Sequence, residues 1–122
     1  MMHHVSLKVD RPAFERTVEF YRNFFGFELE RDLGKAAMLR QGSVRLEILQ
    51  MDGKRPEPGV IDHLAFAVDD VDAMTARMRE AGYRVTREPG EHIFECANPY
   101  RVYIAFLEGP AGESVELFSE EK

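Results

Sequence analysis

Two short runs of this sequence set a histidine at the head of an apolar alternation. In "HHVSLKVD" it is His4, in "DHLAFAVD" it is His63, and an aspartate follows each six positions on, Asp10 and Asp69. Two further runs, "VRLEIL" and "SVELF", each set one glutamate among apolar neighbours, Glu47 and Glu116. Glu47 follows His4 by 43 residues and Glu116 follows His63 by 53, so the pair recurs in the same order. Two imidazoles and two carboxylates form a mixed nitrogen and oxygen donor set for a divalent ion. With no thiolate among them, Zn, Ni, Co, Mn and Fe(II) all suit the set. An ion with open positions can hold two neighbouring substrate oxygens and stabilise an enediolate. A carboxylate at its side can then carry a proton between adjacent carbons.

Taken singly, each of these residues has an ordinary reading. A strand histidine is most often a hydrogen-bonded core or surface group, and a strand glutamate is most often solvated. Repetition at equivalent places is what points to metal. His3 is the alternative to His4 but falls on the Val5 face, so His4 is preferred. His92 has no counterpart in the other half and keeps the ordinary reading. Cys96, the sole cysteine, reads as a small core residue of a strand and excludes an intrachain disulfide.

The elements that must hold these groups follow from the hydrophobic period. "HHVSLKV" alternates, with Val5, Leu7 and Val9 on one face and His4, Ser6 and Lys8 on the other, as in a strand. In "DRPAFERTVEFYRNFFGF" the period changes, and Phe14, Val18, Tyr21 and Phe25 form one helical stripe. Pro12 suits the first turn and Gly26 a left-handed cap. Strand candidates "FELERDL", "AAMLRQ" and "VRLEILQM" come next, separated by Gly34 and "QGS". The stretch "DGKRPEPG" interrupts the pattern, which then restarts. "DHLAFAV" is a strand, and "DDVDAMTARMREAG" a helix with Val71, Met74, Met78 and Ala81 on its stripe. Asp69 or Asp70 caps its start and Gly82 its end. Four strand candidates close the chain: "YRVTRE", "HIFECA", "VYIAFLE" and "SVELFS".

Alternation also fixes direction. Val5, Leu7 and Val9 must face a helix, as must Val44, Leu46 and Ile48, Leu64, Phe66 and Val68, and Val115 and Leu117. His4, Glu47, His63 and Glu116 then all point to the helix-free faces of their sheets. Should the two modules pair about a two-fold relation, the four converge in one trough.

The bulk numbers bound the rest. The chain has 122 residues, 44% hydrophobic and 31% charged, enough for one core without disulfides. A net charge of −6 with acidic and basic residues intermixed opposes a general polyanion binder, so no nucleic-acid partner is expected. No apolar run reaches the ~18 residues of a membrane span, and no secretory pattern opens the chain. The expectation is a cytoplasmic protein with a small-molecule substrate and no membrane partner.

The segments "HVSLKVDRPAFERTVEFYRNFFGFEL", "DHLAFAVDDVDAM" and "FLEGPAGESVELF" resemble the vicinal oxygen chelate superfamily, which includes glyoxalase I, bleomycin- and fosfomycin-resistance proteins and extradiol dioxygenases. The resemblance implies an α+β fold of paired βαβββ modules forming a cupped mixed sheet with helices on its outer face. Residues 1–122 would be a single such domain, with one module at about 1–52, a linker at 53–60 and a second module at about 61–119. Matched residue by residue, the metal ligands are His4, Glu47, His63 and Glu116. Two histidines with two glutamates is the glyoxalase I pattern, which implies a lyase or isomerase with Glu116 as proton-transfer base and Glu47 as its catalytic partner. Methylmalonyl-CoA epimerases usually carry Gln at the Glu47 position, and extradiol dioxygenases need only two His and one Glu. Bleomycin-resistance proteins hold a ligand in the same trough without chemistry. Lys8 and Met51 stand where bacterial glyoxalase I has an Arg and an Asn that help hold glutathione, so they are candidate substrate-binding residues and a departure from glutathione recognition. Relatives often build each site from one module of each subunit, which implies a homodimer.

Overall fold

The buried arc of each helix decides how the chain folds back on itself. The computed structural model describes residues 2–53, 57, 59 and 61–120. It divides into two units, Met1–Glu57 and Pro58–Lys122. Of the linker expected at 53–60, residues 54–56, 58 and 60 lie outside the described residues.

In the first unit, β1 (Val5–Asp10) leads through one turn of 3-10 helix into α1 (Phe14–Phe25), followed by β2 (Glu28–Asp32), β3 (Ala36–Gln41) and β4 (Val44–Met51). The sheet order is β1-β4-β3-β2, with β1 parallel to β4 and the other pairs antiparallel. The crossover through α1 makes the parallel pair possible, because a hairpin cannot join parallel strands. α1 buries Thr17, Val18, Phe20, Tyr21 and Phe25. The expected stripe is therefore wider than drawn: Phe14 is only half-buried, while Thr17 and Phe20 join the core. Thr17 enters it at little cost because its hydroxyl donates to the Ala13 carbonyl at 2.6 Å. Val9, Leu39, Leu46 and Ile48 of the sheet are buried with them. Each side chain of that size is worth ~1.5–3 kcal/mol when fully buried. Val44, expected on the same side, is 56% exposed, since it opens β4 just beyond the Gly42 turn.

The second unit repeats the plan with β5 (Leu64–Ala67), α2 (Val71–Glu80), β6 (Val85–Phe94), β7 (Tyr100–Glu108) and β8 (Ser114–Ser119), in sheet order β5-β8-β7-β6. Asp70 caps α2, its carboxylate accepting from the Ala73 amide at 2.9 Å. The helix buries Val71, Thr75 and Met78, whereas Met74 is half-buried and Ala81 sits past the last turn, exposed. Two expected strands, "YRVTRE" and "HIFECA", are one ten-residue strand, β6. Pro89 does not end it, because β6 lies on the edge of the sheet and its register shifts on both sides of Arg87 absorb the missing donor. β6 and β7 are ten and nine residues long against five and six for β2 and β3, which accounts for much of the wider His-to-Glu spacing. Each unit is thus a βαβββ module with its helix on one face of a four-stranded mixed sheet, an α+β fold.

Candidate functional site

In the second unit His63 stands one residue before β5, and Glu116 sits in the middle of β8. Ala65, two residues after His63, registers with Glu116 across the parallel pair. Two residues along a strand return to the same face, so both side chains project from the helix-free side. His63 Nε2 lies 3.2 Å from Glu116 Oε1, and the Glu116 side chain is only 9% exposed. The other imidazole nitrogen, Nδ1, lies 2.7 Å from Asp62 Oδ2. A third contact fixes the ring, which packs edge-on against Phe106 at 5.4 Å.

The first unit reproduces this arrangement. Ser6, two residues after His4, registers with Glu47. His4 Nε2 lies 3.8 Å from Glu47 Oε1, and His4 Nδ1 lies 3.0 Å from Nδ1 of His3. In both units Nε2 faces the glutamate while Nδ1 is engaged by the preceding residue. His3, weighed as an alternative ligand, contacts His4 Nδ1 where Asp62 contacts His63 Nδ1, although a ring nitrogen can donate or accept there and a carboxylate only accepts.

These contacts carry a chemical requirement. An Nδ1–H that donates to Asp62 leaves Nε2 of a neutral ring with a lone pair facing the Glu116 carboxylate. Two acceptors that close need a proton or a cation between them. A carboxylate on the remote nitrogen of a metal-ligating histidine is also the usual device that fixes its tautomer. Donors ~2.0–2.2 Å from one ion, at tetrahedral to octahedral angles, stand roughly 3.0–3.5 Å apart. The His63 pair falls in that range and the His4 pair outside it, so the spacing of His63 and Glu116 fits two donors of one divalent ion and that of His4 and Glu47 is too wide as it stands. Within either unit the convergence stops at one His and one Glu: among the described residues no three His, Cys, Asp or Glu side chains are grouped to hold a metal.

Lys8 registers with Leu49 and Met51 with Asp10, so both share the Glu47 face, further along the strands. Both are exposed. Beside Glu47 on β4, Arg45 is held by Glu30, its Nε donating at 2.9 Å and its Nη2 at 3.2 Å, and Arg40 joins them at 3.3 Å. The hydrogen bond from Arg45 first, and that from Arg40 after it, hold the Glu30 carboxyl below its usual range. An open cleft of about 400 Å³ lies among Gly26, Glu30, Arg40 and Gly42; its Glu30 and Arg40 are paired with each other and it holds none of the four candidate ligands. Cys96 is exposed rather than a core residue, because it falls beyond the end of β6 in a turn, with its thiol toward the Asn98 carbonyl at 3.1 Å.

Two residues escaped the reading of the sequence. Along the helix-free face of the first sheet, the row through Glu47 runs Ser6, Glu47, Met38, Arg31. In the second sheet the row through Glu116 runs Ala65, Glu116, Phe106, Arg87. Each row is a small residue, the glutamate, a large apolar residue and an arginine, and each arginine follows a register shift. The signal was present: "GFELERD" and "GYRVTRE" both place the arginine five residues after the helix-ending glycine.

The family model of the Glyoxalase/Bleomycin resistance protein/Dioxygenase superfamily matches residues 2–117. No curated protein sequence matches the chain significantly. Among solved structures, a glyoxalase family protein from Enterococcus faecalis is 25% identical, with 98% of this chain and 97% of that one covered at a TM-score of 0.72. A glyoxalase I mutant from Zea mays is 29% identical at a TM-score of 0.70; 96% of this chain is covered but only 43% of that one. A lactoylglutathione lyase from Agrobacterium tumefaciens, 24% identical at a TM-score of 0.65 over 97% and 92% of the two chains, shares the fold. With nearly the whole chain matched and the doubled βαβββ plan in place, the protein belongs to the glyoxalase, bleomycin resistance and dioxygenase superfamily, the vicinal oxygen chelate proteins.

Proposed function

We propose that this protein is a metal-dependent lyase or isomerase of glyoxalase type, acting in the cytoplasm on a small substrate that offers two neighbouring oxygens. The observation that carries this reading is the duplicated His–Glu pair with its engaged Nδ1 and its Nε2 turned to the carboxylate. His4, Glu47, His63 and Glu116 would together hold one divalent ion, which when bound supplies Lewis acidity at the substrate oxygens. Glu116 moves the proton between adjacent carbons, the buried side chain being shielded from bulk water that would otherwise exchange with it. Asp62 and Phe106 keep His63 in one orientation throughout. Among the described residues neither unit gathers more than two of these ligands, so on this reading the pairs of two units meet, and a homodimer that joins the first unit of one chain to the second unit of its partner would accomplish this.

Met51 cannot hydrogen-bond a glycyl carboxylate as Asn does, and Lys8 offers a point charge rather than a planar fork. Turnover of the methylglyoxal–glutathione hemithioacetal should therefore be poor beside that of other adducts. The test is a panel of α-dicarbonyl–thiol adducts and acyl thioesters, assayed with chelator-stripped protein and after reloading with Zn, Ni, Co, Mn or Fe(II). Metal-dependent loss of one substrate supports the reading, and efficient use of the glutathione adduct overturns the substrate part of it. A second reading, a ligand-sequestering protein of the bleomycin-resistance type, is favoured by the absence of a third donor in either pair among the described residues. Elemental analysis that finds no metal after reconstitution decides for it.

A further inference from the structure

The helix-free face of the second sheet carries more than the His63–Glu116 pair. Arg87 lies on the row of Glu116, two strands away, which puts their backbones roughly 10 Å apart at the usual strand spacing. Phe106 stands between them and touches the His63 ring. From Arg87 the face continues along β6 through Gly90, registered with Ile104, to His92, registered with Val102. At Gly90 an added Cβ would meet nothing nearer than the Glu88 carbonyl at 3.9 Å, so the sheet surface is open there. The Arg87 guanidinium reaches over this gap to within 3.5 Å of His92 Nδ1. The His92 ring packs edge-on to Phe94 at 4.5 Å, and Phe94 stacks on Tyr100 at 5.9 Å and 22°. Phe94 and Tyr100 are 45% and 40% exposed, an unusual degree for two stacked rings beside a charged group.

We propose that Arg87, His92, Phe94 and Tyr100 form a subsite for the planar carboxylate end of the ligand, an aromatic or conjugated acid. The guanidinium supplies two parallel donors that match a carboxylate, and His92 adds a third from its side. The stacked rings offer a flat apolar face for the rest of that group. Partial desolvation, aided by the hydrogen bond to the Glu120 carboxylate, pushes the Tyr100 phenol up, so its hydroxyl is engaged and its ring face is what a ligand meets. The subsite rests on the site reading above only for where the ligand's other, oxygen-bearing end would lie.

The test uses three probes on the full chain: cinnamate, which has ring and charge, cinnamamide, which lacks the charge, and acetate, which lacks the ring. Binding is followed by NMR shift mapping of the His92 and Tyr100 rings, in chelator-stripped protein and again with Zn(II). Cinnamate should move both signals and bind about tenfold or more tightly than either other probe. Arg87→Gln should erase the preference for cinnamate over cinnamamide, while Tyr100→Ala should weaken both and leave acetate unchanged. Cinnamate that moves neither ring, or binds the Arg87→Gln protein as tightly as the parent, overturns the subsite. The two readings fail separately. Cinnamate selectivity in protein that takes up no Zn(II) removes the metal and keeps the subsite, whereas Zn(II) uptake without selectivity does the reverse.

Discussion

The proposed chemistry rests, at the residue scale, on the orientation of one imidazole. His63 presents Nε2 to Glu116 because Asp62 occupies Nδ1. Outer partners of this kind typically change metal affinity 10–100-fold. Asp62→Asn should therefore weaken metal binding by about tenfold or more, although Asp62 would ligate nothing; unchanged affinity by competition with a colorimetric chelator would remove it from the site. Burial separates the two glutamates, Glu116 being enclosed and Glu47 half-buried, and on the proposed reading this separates their roles. Glu116→Gln keeps a ligating oxygen but accepts no proton, so it should retain metal and lose roughly 10²–10⁴-fold in turnover. Glu47→Gln should be milder, and the opposite ranking with metal retained in both would reverse the assignments. The pairing of His4 with Glu47 and of His63 with Glu116 was legible because each residue breaks an apolar alternation at a repeated place. Their neighbours were not: His3 and Asp62 act through contacts that alternation alone does not reveal.

The fold is held in register by a few local devices at the scale of elements. Asp70 satisfies an orphan amide at the start of α2, and Asp70→Ala should cost about 1 kcal/mol, read as a lower Tm with the same fold by circular dichroism. The Glu30–Arg45–Arg40 network ties β2 to β3 and β4. Because Glu30 titrates below its usual range in the folded chain, its contribution is present above the ordinary carboxylate range and lost as pH falls through the lowered value. Glu30→Gln should flatten that part of the acid limb of a Tm-against-pH curve, and an unaltered limb would show the network to be inert. The bounds of β3, β4 and β8 were readable from period and turn residues alone. β6 was not, because a proline in a strand pattern signals a break unless the strand is known to be an edge. That same irregularity hid Arg31 and Arg87: a register shift resets which residues share a face, and simple alternation cannot count across it.

At the scale of the whole molecule, duplication makes one prediction that neither unit makes alone. On the proposed reading each unit would supply half a donor set, so an intact site would need a first unit with His4 and a second unit with His63. Should the site form between two chains, a His4→Ala protein mixed and reassembled with a His63→Ala protein regains one intact site per heterodimer. Should it form within one chain, the mixture stays as empty as its parts. The central claim is the single four-ligand ion, and metal titration of chelator-stripped protein tests it most directly. One Zn(II) is expected per set of four residues, with His4→Ala and His63→Ala each lowering affinity by well over tenfold. Either variant binding Zn(II) as the parent does, or a parent chain that takes up none, would contradict it.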